Sequence, residues 1–306
     1  MKLVFVLWLA CAALPAHAGQ FDYHLTPQKI AADTYVIIGK TEDFNFRNGG
    51  NVVNSGFIVT SAGVLVIDTG PSKRYGEQMR AAIGKITDKP VVKVINTHEH
   101  PDHFLGNQAF AARVIAATSQ TIQGIRHNGE AFNGNMYRLN GDWMLGTEVV
   151  VPNQVQGEAT ETLGDHTISY FVFHGHTPGD LALFDRSTGV LFSGDLVFHD
   201  RSPTTPHADL KQWFAALDTL EKLPFKVMVP GHGPVVEDQR ALAQTRDYLQ
   251  WLQATLKAAA GQGRDMAEVL ALPLPEKFRS LGVVQSEFAR SISHLYPRFE
   301  QETLHH

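Results

Sequence analysis

Apolar positions from Tyr35 to Gly70 fall into short β-branched runs, YVIIG, VVNSGFIVT and GVLVIDTG, separated by Gly, Asn and Ser. Runs of this length between turn formers predict strand, turn, strand. From Lys73 to Thr87 the spacing changes. Met79, Ala82, Ile83 and Ile86 recur every three or four residues, which predicts an amphipathic helix. VVKVINT (Val91–Thr97) has the continuous apolar character of a buried strand, and Arg113 to Ala117 predicts a shorter one. Ser119 to Trp143 is mixed and polar, and predicts helices and loop over the surface. A second β-rich half follows. HTISYFVFHG alternates, LALFDRSTGVLFSGD predicts a hairpin turning on Ser187-Thr188-Gly189, and FKVMVPGHG predicts one more strand. Between the last two, Ala208 to Leu223 is helical, and its stripe of Trp213, Phe214, Leu217 and Leu220 is expected to be core. Beyond Glu237 the chain is rich in Ala, Leu and Gln and predicts further helices. Two β-then-α halves imply an α/β fold, an αββα sandwich of sheets packed face to face with helices outside, carrying a C-terminal helical extension over 237–306.

The first residues, MKLVFVLWLACAALPAHAGQ, change the picture of where the chain works. Lys2 precedes an apolar run from Leu3 to Leu14, and Ala16-His17-Ala18 is a small-x-small cleavage signal. This predicts a secretory signal peptide over 1–18 and a periplasmic product. The run is shorter than the about 20 apolar residues a span requires, so no membrane span is expected after cleavage. Cys11 is the sole cysteine and leaves with the signal. The mature chain is therefore expected to have no disulfide, thiolate ligand or thiol nucleophile. Net charge is −5 without a basic block, which argues against nucleic-acid binding through phosphate contacts.

The chemistry is concentrated in His98-Glu99-His100-Pro101-Asp102-His103. In an extended segment His98 and His100 point the same way and can reach one ion, while Glu99 points away. Asp102 and His103 follow Pro101, where the chain turns, and are placed for a second, neighbouring ion. Three further signals sit at strand ends beside Gly or Pro: Gly175-His176-Thr177, Ser193-Gly194-Asp195 and Pro230-Gly231-His232-Gly233. Such loops are where a rigid sheet presents functional groups. His98, His100, His103, His176 and His232 with Asp102 and Asp195 are enough donors for two ions. His174, two residues before His176, is the weaker candidate. Asp68 is expected to support the metal loop by hydrogen bonds. His199, Arg201, Thr204, Thr205 and His207, with Phe44, Phe46, Arg47 and Asn48, are candidate pocket residues, equally readable as ordinary loop. His305 and His306 are expected to be a tail.

The order HxHxDH, GHT, GD, PGHG resembles the metallo-β-lactamase superfamily of binuclear metal hydrolases, over about Tyr35 to Val236. The resemblance implies a metallohydrolase domain over 19–236, with His98, His100 and His176 on a first metal. It places Asp102, His103 and His232 on a second, with Asp195 bridging. An Asp at 195, where the true β-lactamases place Cys or Ser, is similar to the glyoxalase II and general ester hydrolase branch. No glutathione-binding pattern accompanies it in the C-terminal helices. The stretches GGNVVNSGFIVTSAGVLVIDTGPSKRYGEQMRAAI, GDLVFHDRSPTTPHADL and FARSISHLYPRFE are similar to the quinoprotein relay system zinc metallohydrolases of the first type, related to SoxH-type proteins. That likeness implies zinc, a periplasmic setting and a quinoprotein dehydrogenase system as partner.

Imidazole and carboxylate donors suit two Zn ions, with Fe or Mn as substitutes. A bridging hydroxide, generated because bound water ionises near pH 7, is expected to attack an ester, thioester or lactone carbonyl of a small molecule, with Asp102 orienting it and taking its proton. Three other readings stay open. They are a β-lactam hydrolase, a mononuclear-iron sulfur dioxygenase using His98, His176 and Asp195, and a non-catalytic accessory protein. The C-terminal helices are placed either to cap the cleft or to form a dimer face.

Overall fold

The computed structural model describes residues 21–304, so the signal peptide expected at 1–18, with Cys11, and the tail of His305 and His306 lie outside the described residues. In chain order the first half runs β1 (Gln28–Ala31), β2 (Thr34–Ile37), β3 (Ser55–Thr60), β4 (Gly63–Ile67), α1 (Lys73–Gly84), β5 (Val91–Ile95), α2 (Pro101–Phe104), β6 (Ile115–Ala117), α3 (Ser119–Asn140) and β7 (Gln154–Val155). The second half runs β8 (Ala159–Leu163), β9 (His166–Phe173), β10 (Asp180–Asp185), β11 (Val190–Phe198), α4 (Leu210–Leu220) and β12 (Val227–His232). The chain continues as α5 (Arg240–Gly261), α6 (Met266–Leu270) and α7 (Val284–Leu304).

Strands β1 to β7 form one sheet in chain order, and β12-β11-β10-β9-β8 form the second. The alternation of side chains in each strand builds the layers. Leu65 and Ile67 face Leu181, Leu183 and Phe192 between the sheets, while Val64 and Val66 pack outward on Tyr75, Met79 and Ile83 of α1. On the far side Ala182, Phe184 and Leu191 meet Trp213 and Leu217 of α4, Leu249 and Leu252 of α5, and Ile292 and Leu295 of α7. This is the αββα sandwich with its C-terminal helical extension. Trp213 is fully buried and donates from its indole N–H to the Leu196 carbonyl at 2.9 Å. Leu217 and Leu220 of the stripe expected to be core are buried with it, while Phe214 is half-buried at its edge. Among the described residues no helix is long and apolar enough to cross a membrane.

The stretch expected to be broken helices and loop is one helix, α3, of 22 residues. Its glycines and asparagines are poor helix formers, and packing overrides them. Thr118 caps its start by accepting from the Thr121 N–H at 3.0 Å, and Gly141 at φ 62° ends it. Gly124 lies against Glu99 so closely that any Cβ would collide with the carboxylate. The hairpin at 187–189 is present between β10 and β11, with Asp185 opposite Val190 and Gly189 at φ 81°. Helix α1 stops at Gly84, short of Thr87, and β5 ends at Ile95, which leaves Asn96 and Thr97 to the site.

Candidate metal centre

Strand β5 delivers the chain to Asn96, and from there every residue to His103 is buried. Two amides lock this loop: Asn107 donates to the Asn96 side-chain oxygen at 2.8 Å and accepts from Asn96 at 3.0 Å. Pro101 opens α2 where its missing N–H costs nothing, with His100 still extended before it. Asp68, just past β4, adopts φ 56°. That left-handed turn sends its carboxylate to the Thr97 N–H and Thr97 hydroxyl, each at 2.8 Å, and to Nδ1 of His103 at 2.8 Å. Asp68 thus supports the loop as expected.

The second sheet supplies the rest. Asp195 follows a register irregularity in β11 at Gly194, which turns its carboxylate inward. The approach is tight, because a Cβ on Gly231 would overlap Oδ1 of Asp195. His232 ends β12 and donates from Nδ1 to the Val52 carbonyl at 2.8 Å. His176 sits between β9 and β10, in a turn that Asp180 holds by accepting from the Thr177 N–H at 3.1 Å and the Thr177 hydroxyl at 2.7 Å. Burial pushes the Asp180 carboxyl up to about 7.

These elements bring all seven motif residues together in two groups. Donor atoms of His98, His100, His176 and Asp195 lie within 4.8 Å of one another, as do those of Asp102, His103 and His232. Asp195 lies between the groups. Its Oδ2 is 3.8 Å from His98 and 3.4 Å from His176, and 3.1 Å from His232, while Oδ1 is 3.2 Å from His103. Asp102 Oδ2 is 3.4 Å from His232 and 3.6 Å from His103.

Hydrogen bonds on the outer edges decide which nitrogen faces inward. Nδ1 of His98 has the Thr97 hydroxyl at 3.1 Å, Nδ1 of His103 has Asp68, and Nδ1 of His232 has Val52. All three therefore present Nε2 to the centre. His100 is reversed. Its Nε2 meets Nδ1 of His207 at 3.0 Å, and its Nδ1 points to Nε2 of His176 at 2.9 Å. Burial holds His98, His100 and His176 well below the ordinary imidazole value, so they are neutral acceptors at neutral pH. Burial also opposes charge on His103, yet Asp195, Asp102 and Asp68 outweigh it and hold that imidazole well above its usual value. Against the cost of burial, His232, His103 and His98 keep Asp195 well below the usual carboxylate range.

A cation fits this donor set. Imidazole nitrogens and carboxylates converge, an arrangement that repels unless positive charge lies among them, and the pull that holds the His103 imidazole up is the same demand for a cation. Nε2 of His98, Nε2 of His103 and Oδ1 of Asp195 are buried without a hydrogen-bond partner. Nitrogen and carboxylate oxygen at these positions suit zinc and its borderline neighbours.

Glu99 turns away, as expected. It is buried beside α3 with Asn128 at 3.4 Å. Glu99→Gln is expected to retain the full metal content of the unsubstituted protein, checked by elemental analysis after gel filtration. His174 is exposed, bonds the Pro178 carbonyl and lies outside both groups.

A cleft of about 340 Å³ opens over the centre. Phe44, Arg201, Thr204 and His207 line it, as considered from the sequence. Thr205 is buried behind it against Ser291, His199 bonds the Pro234 carbonyl, and Phe46, Arg47 and Asn48 do not line it. Phe132, Asn135 and Leu139 of α3, and Arg290 and His294 of α7, complete the wall and were not anticipated. The one signal for the α3 group is its spacing of three and four residues, legible only once that stretch is known to be one helix.

Known proteins resemble this chain in sequence and fold. A family model described as the metallo-β-lactamase superfamily matches residues 48–232. The linear primary-alkylsulfatase of Pseudomonas sp. (strain ATCC 19151) is 23% identical over 235 residues, covering 62% of this chain and 44% of that one. The hydroxyacylglutathione hydrolase of Erythrobacter litoralis is 28% identical over 183 residues, covering 58% and 61%. The chain thus spans about half the length of these curated relatives. The solved structure of a metallo-β-lactamase from Pontibacter korlensis superposes with a TM-score of 0.58 at 25% identity, covering 74% of this chain and 99% of that one.

Proposed function

The chain belongs to the metallo-β-lactamase superfamily, and on that premise we propose that it is a binuclear metal-dependent hydrolase of small esters, thioesters or lactones. The observation that carries this reading is the convergence of inward-facing imidazole nitrogens and two carboxylates in two adjoining groups. His98, His100 and His176 would hold one cation, Asp102, His103 and His232 the other, and Asp195, within reach of both groups, would serve each. The cations, when bound, lower the pKa of water toward neutrality and offset negative charge developing on oxygen, with Zn the best match and Fe or Mn as substitutes.

The chain's own residues do the remaining work. Asp102, on the floor of the cleft, orients the attacking water and holds the proton it releases. Asp68, Thr97 and the Val52 carbonyl keep three ligand rings in the tautomer that binds. Phe44, Phe132 and Leu139 form an apolar wall that limits water around a bound substrate. The names of the relatives denote cleavage of an acylglutathione and of an alkyl sulfate, which supports a hydrolytic reaction and leaves the acyl group open. A catalytic domain to residue 236 and a helical extension beyond it form our working division, with α7 contributing to the cleft. The N-terminal apolar run supports export to the periplasm, and the likeness of the longer stretches supports a quinoprotein dehydrogenase system as the setting.

The test is elemental analysis of protein purified from periplasm without added metal, followed by an ester, thioester and lactone panel. Two equivalents of zinc with turnover are expected. Chelation is expected to lower Tm by about 5–10 °C, because an ion at a hundredfold its Kd stabilises only the folded state. A single iron, oxygen uptake with a persulfide and no hydrolysis would replace this reading with the sulfur dioxygenase.

A further inference from the structure

His207 touches the centre without belonging to either ligand group. The bond between Nε2 of His100 and Nδ1 of His207 needs one hydrogen. Placed on His100, it leaves Nδ1 of that ring bare toward His176. Among the five rings of the centre His100 alone turns Nδ1 inward, and His207 is the partner of its outward nitrogen.

His207 is itself held by the C-terminal helix. Segment 201–207 bridges Gly282 at Arg201, and the Ser202 N–H donates to the Gly282 carbonyl at 3.0 Å. The Thr204 hydroxyl donates to Glu287 at 2.8 Å. The Ser291 hydroxyl donates to the Glu287 carbonyl at 2.7 Å and so accepts from the Thr205 hydroxyl, also at 2.7 Å. Arg298 donates to the Ala208 carbonyl at 3.2 Å. Thr205, Glu287 and Ser291 are fully buried, where a lost partner is costly. The Asp209 N–H then bonds the Gly175 carbonyl at 2.9 Å, beside His176.

From this chain of contacts we propose that His207 is a positioning residue for His100, and that α7 belongs to the metal centre through the segment it straps in place. The inference rests on His100 being a ligand. A partner on the outer nitrogen fixes both tautomer and ring orientation before the ion arrives.

The experiment is chelator-competed titration of the full chain with Co²⁺, read by visible absorption. His207→Phe is expected to weaken the site of His98, His100 and His176 by about 10–100-fold and to alter its spectrum, with the other site unchanged. His207→Gln, whose amide oxygen accepts the same hydrogen, is expected to recover most of the loss. Thr205→Val keeps His207 but cuts the strap, and is expected to weaken the same site by a smaller factor. Unchanged affinity in His207→Phe would overturn the proposal, as would equal loss at both sites or no recovery with Gln. If His207→Phe does not fold, the Gln and Val variants decide: weakening of the one site by Thr205→Val with near-normal binding by His207→Gln supports it, and normal binding by Thr205→Val overturns it. His100→Ala separates the two readings. If it binds both ions like the unsubstituted protein, the ligand assignment fails; if it loses one and His207→Phe loses none, only the present inference fails.

Discussion

Asp195→Ala is expected to lose turnover by on the order of 10³-fold or more and to leave the purified protein with less than its full metal complement, since metal-ion catalysis contributes several kcal/mol and each 1.4 kcal/mol is tenfold. The carboxylate stands 3.1 to 3.8 Å from nitrogens of both groups, so its removal takes a donor from each at once. It also removes the negative charge that offsets neighbouring positive charge, and leaves space beside Gly231, against which the carboxylate packs. Asp195→Asn separates these effects by keeping the volume and halving the donor set. Steady-state kinetics on the best panel substrate, paired with elemental analysis of the same samples, checks both. Full turnover with two tightly held ions in the alanine variant would show that Asp195 is not shared.

Asp68→Ala is expected to reach nearly as far without touching a metal. One buried carboxylate accepts from the Thr97 N–H, the Thr97 hydroxyl and His103. Cutting it away leaves buried donors unpaired, a loss of about 3–5 kcal/mol. For a chain of this size that lowers Tm by roughly 6–20 °C. The ring of His103 also loses the bond that aims its Nε2, so the group of Asp102, His103 and His232 should lose affinity more than the other. Thermal unfolding with and without chelator separates the two parts. The metal-free protein should keep the stability loss, and titration of the surviving fold should show the asymmetry between sites. A variant that melts like the unsubstituted protein would reduce Asp68 to a bystander.

The seven residues that converge were legible because each is announced within a few positions of chain. HxHxDH encodes a strand end, an extended pair and a proline turn, and the three downstream histidine and aspartate motifs each sit beside a glycine that close approach demands. The sandwich was legible for the same local reason, since β3, β4, β10 and β11 are buried and apolar. Of the edge strands β12 was legible, but β1 and β8 were not. β1 and β8 are largely exposed and polar, so they carry no apolar pattern for a periodicity argument to find. The continuity of helix α3 was missed because Gly124 and Gly129 read as breakers, whereas they make room for Glu99 and Val149, contacts that only the folded chain reveals. The cleft wall shows the limit of local reading most plainly. Arg290, His294 and His207 meet the centre through packing of α7 on a loop some eighty residues earlier, and no spacing within either segment foretells it.

The Leu181 N–H donates to the Thr97 carbonyl at 2.8 Å, one step before His98, and this stitch between the two sheets has a kinetic consequence. His98, His100, Asp102 and His103 descend from one sheet, while His176, Asp195 and His232 descend from the other. Neither half alone holds a complete set of donors. Contacts of such long sequence separation form late, after local hairpins and helices are in place. An ion therefore has nothing to nucleate in the unfolded chain, and its capture reports that the halves have docked. Once seated it would act as a latch, slowing the parting of the sheets more than it speeds their meeting. Refolding rates should accordingly be nearly indifferent to metal, with the whole gain in lifetime appearing on the unfolding limb.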